Sequence, residues 1–502
     1  MTIYNINFGI GWASSGVEYA QSYRAKLLRS GKQAAKFIFL DFIQNENIQT
    51  LTSNLGFKDK EIIWLYQHFT NIKIAPTSYT VQNIVDTLTD EVTRVEENGK
   101  VKRLFFKNDQ TFVTCYLKEA GTDIVDRAEF VSNGMLIRKD FYSYVRILSE
   151  FYAPHDNKAK AYMRQFYNED GTVAYEEYLD EEKESIFMID HTPLYGKRAF
   201  VAYFLKSLKL TKDDILIIDR STNIGQTVLE NKGDSKVGVV VHAEHFSKNA
   251  VTDDTILWNN YYEYQFAQAD AVDFFITATD RQNEILSAQF KQYTKHTPRI
   301  RTIPVGALDK LTKPKSKRRP YSVVSASRLA NEKHIDWLTR AVIKAKKELP
   351  ELTFDIYGEG GEKQKIQQII EEHHASDYIQ MKGHVDLTDI YKNYELFLSA
   401  SQSEGFGLSL LEAIGSGLGM IGFDVNYGNP TFIKDGENGI LIPDKLTEAS
   451  IEVLTDHIAE AIVKFYQLDL KQVEKASYSI AEPFKKQHVK QRWLDLIEEV
   501  KK

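Results

Sequence analysis

The sequence predicts an α/β protein made of two open, mostly parallel sheet domains, with a β-rich domain inserted in the first. Three observations predict it. A strand, a glycine-rich turn and a helix open the chain; hairpin-type segments interrupt that pattern beyond residue 60; a strand–helix alternation then resumes and runs almost to the end.

The opening unit reads TIYNINF, GIGWASSG and VEYAQSYRAKLLRSG, with Val17, Ala20, Tyr23, Leu27 and Leu28 at helical spacing. Gly31 ends the helix and AAKFIFLD supplies the next strand. Across residues 61–190 the segments VKRLFFK, FVTCYLK, AEFVSNGMLIRK and AYMRQFYNEDGTVAYEEYL are separated by the turn signals EENGK, KNDQ, SNG and NEDG, which predicts antiparallel hairpins. Cys115 stands alone in the chain, so no intrachain disulfide forms, and its apolar setting marks a packed strand residue. The α/β pattern returns with DILIID, KVGVVVHA and VDFFITAT, short and continuously apolar as in a parallel sheet covered on both faces.

Residues 310–321, KLTKPKSKRRPY, read as an interdomain linker; its KPKSKRR run is the obvious basic patch, with solvation as its expected role. Beyond it YSVVSAS, IDWLTRAVIKAKKEL, TFDIYG, EKQKIQQIIEEHH, YIQMKG, ELFLSAS, GLSLLEAIGSG, MIGFD and ILIP alternate strand with helix, a second open parallel sheet. The expected domains are 1–60 with 191–315 as the first lobe, 61–190 as the insertion, 316–475 as the second lobe, and a helical tail, 476–502, packing back on the first lobe.

Bulk properties bound the function. A chain of 502 residues exceeds one ordinary hydrophobic core. With 43% apolar and 26% charged residues it falls among soluble globular proteins, and a net charge of -7 gives no general attraction to nucleic acid. The first residues lack the pattern of a signal peptide and no apolar window of spanning length follows, so a cytoplasmic location is expected. Most of the 28 Phe and 27 Tyr are expected to serve packing.

Four constellations can carry chemistry. Gly9 to Gly16 precede a helix, where glycine permits close approach and the helix start favours a phosphate, although the GxGxxG fingerprint is not met. Arg328 and Lys333 in SASRLANEKH follow the first strand of the second lobe; two cations there can stabilise a departing diphosphate. In SEGFGLSLLEAIGSG, Glu404 sits in a tight turn with Gly405, Phe406 and Gly407, and Glu412 lies in an apolar helix where its carboxylate needs a partner such as a ribose diol. His242 in VVVHAEHF ends a buried-type strand; Glu244 and His245 lack HExxH spacing and an identifiable third metal ligand.

In combination these motifs resemble the retaining glycosyltransferases of family 4, with a GT-B fold of two Rossmann-like lobes facing across a cleft. INFGIGWASSGVEYAQ, VVVHAEHFS, SASRLANEKHIDWL and SQSEGFGLSLLEAIGSG, with the hairpin insertion, resemble over essentially the whole chain the catalytic subunits of peptide glycosyltransferases that start O-glycosylation of serine-rich repeat adhesins. The resemblance implies UDP-N-acetylglucosamine as donor substrate, no tightly bound cofactor, no divalent metal, and Ser/Thr hydroxyls of the adhesin as acceptor. It implies a related, catalytically inactive subunit that binds the acceptor, and it leaves peripheral membrane association open. By motif it puts Gly16 at the diphosphate, His242 at the donor sugar, and Lys382, Gly383 and His384 at the uracil. Glu404 falls beside the sugar, in the turn with Gly405 whose Phe406 and Gly407 amides face the diphosphate side, Glu412 falls on the ribose, and Arg328, Lys333 and Glu404 form the catalytic set. It further implies front-face attack, with a donor phosphate oxygen taking the acceptor's proton. The residues themselves fit a glucosyl donor equally well. The competing readings are a cell-wall polymer glycosyltransferase such as a teichoic acid enzyme, a non-enzymatic scaffolding subunit and, least supported, a nucleotide-cofactor dehydrogenase.

Overall fold

The computed structural model describes all residues except 13–14, 108, 157, 181, 444–449 and 502. The chain forms two compact units, residues 1–238 and 239–502, and the division falls inside the strand Lys236–Val241.

In the first unit the strand Ile3–Asn7 lies between Ala35–Phe39 and Ile215–Ile218, all parallel, with the first strand at the centre of this group. Phe37, Ile38 and Phe39 are fully buried, as is every residue of Ile215–Ile218, which is why these short apolar runs settle as interior strands. The strand Ile62–Trp64 pairs in parallel with Ala35–Phe39. That tripeptide, within the span read as the insertion, thus belongs to the α/β sheet, and the antiparallel strands begin at Arg94. The helix Gly16–Ser30 buries Ala20, Leu27 and Leu28 and is fastened by Arg24, whose guanidinium forks onto Asp219 with both bonds at 2.8 Å. Both side chains are at most 2% exposed, so loss of either would strand a buried charge.

The insertion is a meander of ten antiparallel strands from Arg94–Asn98 to Thr192–Tyr195, each paired with its neighbour in sequence. The SNG signal forms its hairpin as expected: Asn133 and Gly134 have φ of 50° and 75°, the left-handed pair that matches strand twist. Cys115 is fully buried among Leu104, Val113 and Val125, and burial pushes its thiol up to about 12, which leaves it inert.

The second unit contains a six-stranded parallel sheet in the spatial order Ile379–Gly383, Thr353–Tyr357, Ser322–Ala326, Leu396–Leu398, Gly419–Phe423, Gly439–Ile442. In chain order this is 3-2-1-4-5-6, which reverses direction between Ser322–Ala326 and Leu396–Leu398. The loops leaving those two strands at their carboxyl ends are therefore neighbours. The helices Ile335–Ala345, Lys363–Glu372 and Leu408–Gly415 form where the periodicity predicts them. A hairpin, Phe246–Val251 with Ile256–Trp258, was not apparent from the sequence.

The charged stretch 310–321 lies within the second unit and is tied down. Arg318 is 9% exposed and donates to the carbonyls of Lys392, Tyr394 and Ser416 at 3.0, 2.8 and 2.6 Å, so its charge is spent internally rather than offered as a surface patch. The final helix, Lys486–Lys501, is held by the Lys486 amide on the Leu308 carbonyl at 2.8 Å and by Arg301 on Glu499. Among the described residues no helix is long and apolar enough to cross a membrane.

Candidate functional site

The reversal in strand order brings the Arg328–Lys333 loop beside the Ser401–Gly407 turn. Lys333 Nζ donates to Glu404 Oε2 at 2.7 Å and to Ser401 Oγ at 3.2 Å. Both partners of the ion pair are about one-fifth exposed, at 21% and 19%, so it is shielded yet reachable from solvent. Arg328 is different: its side chain is 67% exposed and rests on Glu332, four residues along, at 3.1 Å. Such an exposed pair is worth at most about 1 kcal/mol and yields readily to a stronger anion.

The Glu404 turn is fixed from behind. Its carbonyl accepts from the amides of Tyr427 and Gly428, both at 2.7 Å. Gly405 lies against the His242 carbonyl so closely that a Cβ there would overlap that oxygen. Gly407, with φ of 86°, turns the chain in the left-handed region and starts the helix Leu408–Gly415, which no side chain caps. Phe406 is buried against Phe432 and Phe484, so only its backbone is free to serve a ligand. Glu412 is half-buried on that helix, between buried Leu411 and Ala413.

His242 follows the strand Lys236–Val241, and its amide and that of Ala243 both donate to the Tyr262 hydroxyl at 3.0 Å. Thus the sequence-predicted His242, Lys333 and the Glu404–Gly407 turn come together. Lys382 and Gly383 end the edge strand Ile379–Gly383 and His384 follows it; Gly383 has φ of 71° and its carbonyl accepts from Gly358 at 2.8 Å. Lys382 bonds Gln380 and lies 3.8 Å from Asp355, while His384 is exposed.

In the first unit Gly16 begins the helix Gly16–Ser30, and a Cβ there would meet nothing within 4 Å. Ser15 caps that helix; its amide donates to Glu18 Oε2 at 2.7 Å, and Arg220 reaches Ser15 Oγ at 2.7 Å and Glu18 Oε1 at 3.1 Å. Ala13 and Ser14 of the same turn lie outside the described residues. A cavity of 710 Å³ within this unit is lined by Phe8, Asp41, Glu184, Lys197, Arg198 and Asn223 among others, and Asp41 pairs with Lys197 across it. Phe8, Asp41 and Asn223 all follow the carboxyl ends of parallel strands.

Sequence reasoning missed Tyr427 and the true role of Glu244 and His245. The Tyr427 hydroxyl contacts the Glu244 carboxylate and lies 2.9 Å from His245 Nδ1, while His245 Nε2 meets Gln289 at 2.7 Å. Desolvation lowers His245 to about 4, so it is neutral at ordinary pH. The signal for Tyr427 was the tight-turn sequence NYGNP directly after the buried strand Gly419–Phe423. Among the described residues no group of three His, Cys, Asp or Glu side chains is placed to hold a metal ion.

Residues 94–191 match the family described as GtfA extended beta-sheet domain, and residues 309–467 match glycosyl transferases group 1. The UDP-N-acetylglucosamine–peptide N-acetylglucosaminyltransferase GtfA subunit of Streptococcus pneumoniae is 54% identical over 100% of this chain and 99% of its own. The crystal structure of the pneumococcal O-GlcNAc transferase GtfA in complex with UDP and GlcNAc superposes with a TM-score of 0.94 at 55% identity, covering 100% of this chain and 99% of the other. A crystal structure of a GtfA/B complex gives 0.95 at 52% identity, with 100% of both chains covered. The fold is GT-B, with two Rossmann-like lobes and an inserted β-rich domain.

Proposed function

This chain belongs to the family of GtfA subunits of UDP-N-acetylglucosamine–peptide N-acetylglucosaminyltransferases, and from that premise we propose how it works and on what. It is a glycosyltransferase that moves N-acetylglucosamine from UDP-N-acetylglucosamine to Ser and Thr hydroxyls of a serine-rich repeat adhesin, the first step in that protein's O-glycosylation. It works in the cytoplasm with a related subunit, to which we assign acceptor binding without catalysis.

The observation that carries the reading is the Lys333–Glu404 pair at the sheet's switch point, with the His242 segment against the same turn. When the diphosphate leaves, its growing charge is met by Lys333 and by Arg328 once the latter drops Glu332. Charge held in place before the reaction stabilises the transition state without reorganisation. Glu404, released from Lys333, accepts from a sugar hydroxyl, and His242 borders that sugar. Glu412 takes the ribose diol, and Lys382 to His384 take the uracil. The uncapped start of Leu408–Gly415 suits the diphosphate; the assignment of Gly16 to the same group rests on its motif. No second carboxylate is needed as nucleophile, because front-face attack lets a donor phosphate oxygen accept the proton of the Ser or Thr hydroxyl.

We assign the two lobes to residues 1–60 with 191–315, extended by the strand Ile62–Trp64, and to 316–475, with the acceptor chain on the first. The 710 Å³ cavity supports this: two carboxylates and two cations line it, which suits a neutral chain rich in hydroxyls and amides better than a polyanion. Intact-mass measurement of a Ser/Thr-rich peptide incubated with the protein, a panel of UDP-sugars and the partner subunit tests the reading. The expected result is the gain of N-acetylhexosamine masses with UDP-N-acetylglucosamine alone. An unmodified peptide together with extension of a polyol-phosphate chain would replace the reading with a cell-wall polymer transferase.

A further inference from the structure

Tyr427 is a fully buried side chain whose hydroxyl reaches the segment that follows His242 and whose backbone holds the Glu404 turn. On one side, its amide and that of Gly428 hold the Glu404 carbonyl at 2.7 Å, and the Glu404 amide returns a bond to the Asn426 carbonyl at 3.3 Å. On the other, its hydroxyl sits between Glu244 and His245 Nδ1, and its ring lies nearly parallel to the His245 imidazole at 20° and 5.7 Å. His245 is itself anchored through Gln289, and the adjoining Ala243 carbonyl accepts from buried Gln282 at 2.9 Å. The segment 242–245 is thus rigid, and Tyr427 is its side-chain tie to the Glu404 turn.

We propose that Tyr427 is a positioning residue for sugar transfer: its hydroxyl, donating to Glu244 and packed against His245, sets where the Glu404 turn stands relative to His242. This rests on the reading that Glu404 and Lys333 serve the donor. Burial and the neighbouring Glu244 carboxylate raise the Tyr427 hydroxyl far above its ordinary range, so it stays protonated and donates. Glu244 is the stronger acceptor, since a hydrogen bond to a charged group is stronger than one to a neutral group. Losing the tie frees the turn within its backbone bonds, and a displacement of about 1 Å at a reacting centre lowers a rate by roughly 100-fold.

The test uses the full chain with its partner subunit and reads UDP release and peptide modification as functions of donor concentration. Tyr427→Phe keeps the ring and removes only the hydroxyl; kcat is expected to fall about 10-fold or more while the donor KM moves less than about two-fold. Glu244→Ala should reproduce that loss, Glu244→Gln should restore most of it by keeping an acceptor oxygen, and the Tyr427→Phe, Glu244→Ala double variant should be no worse than either single one. A merely structural tyrosine would lower the melting temperature and leave kcat per folded molecule intact; that outcome, or multiplicative losses in the double variant, overturns the proposal. Should Tyr427→Phe fold poorly, the Glu244→Gln against Glu244→Ala contrast decides with the tyrosine in place. Wild-type protein that releases no UDP from UDP-N-acetylglucosamine would instead refute the donor-site reading itself.

Discussion

At Gly16 an added methyl group would touch nothing within 4 Å, whereas at Gly405 it would overlap the carbonyl oxygen of His242. Both glycines stand in turns that lead from a strand into a helix. The first helix is capped by its own side chains, Ser15 and Glu18 with Arg220 behind them, so the fold does not require a glycine at its start. The second has no side-chain cap, and its turn is pressed onto neighbouring backbone. The contrast teaches that a glycine-rich turn can be kept open for a ligand or closed by packing, and only the surroundings tell which.

Substitutions separate the two cases. Gly405→Ala should have the largest effect, since a backbone carbonyl cannot rotate away: about 3 kcal/mol lost by denaturant unfolding, with donor turnover abolished. The buried network behind that turn gives a pH signature. His245 falls from 6.5 in the unfolded chain to about 4 when folded, so the unfolded state binds more protons between those values. The stability it contributes is present above pH 6.5 and is lost as pH falls towards 4, on the order of 3 kcal/mol, and a His245→Gln variant should lack this component of the pH–stability curve. At the open turn, Ser15→Ala should cost about 1 kcal/mol through the lost cap. The smallest change in stability is expected for Gly16→Ala, a gain of about 0.5 kcal/mol by stiffening the unfolded chain, while the proposed place of Gly16 at the diphosphate predicts a drop in donor turnover. Unchanged turnover in Gly16→Ala would remove the ligand from the first turn and collapse the comparison.

Much of this was legible in the sequence because strands and helices here carry their periods plainly. Arg328, Lys333 and the Glu404 turn could be placed at strand ends from pattern alone. Their direct contact could not, since Lys333 and Glu404 lie 71 positions apart and meet only through the order in which six strands assemble. The tripeptide Ile62–Trp64 is too short to show a period and sits among aromatic-rich segments, so its place in the parallel sheet was invisible. The run KPKSKRR looks like solvated charge, and nothing local reveals that Arg318 turns inward to three carbonyls. Ser15 and Glu18, by contrast, stand at the spacing of a capping box and could have been read directly. Tyr427 resembled ordinary loop sequence because its partners, Glu244 and His245, come from the far end of the chain's second unit.

The pairing of Lys333 with Glu404 and of Arg328 with Glu332 also bears on how a ligand is caught. Each cation travels with a carboxylate, so these four groups together project little field into solvent, and nucleotide encounter should respond weakly to ionic strength. Selection then happens at contact. A bare anion that takes Lys333 leaves the Glu404 carboxylate without its donor, a loss that a sugar hydroxyl repairs and an anion with no hydroxyl, such as sulfate, does not. An ion pair that can be opened only by a ligand bringing both an anion and a hydroxyl acts as a chemical filter for glycosyl phosphates.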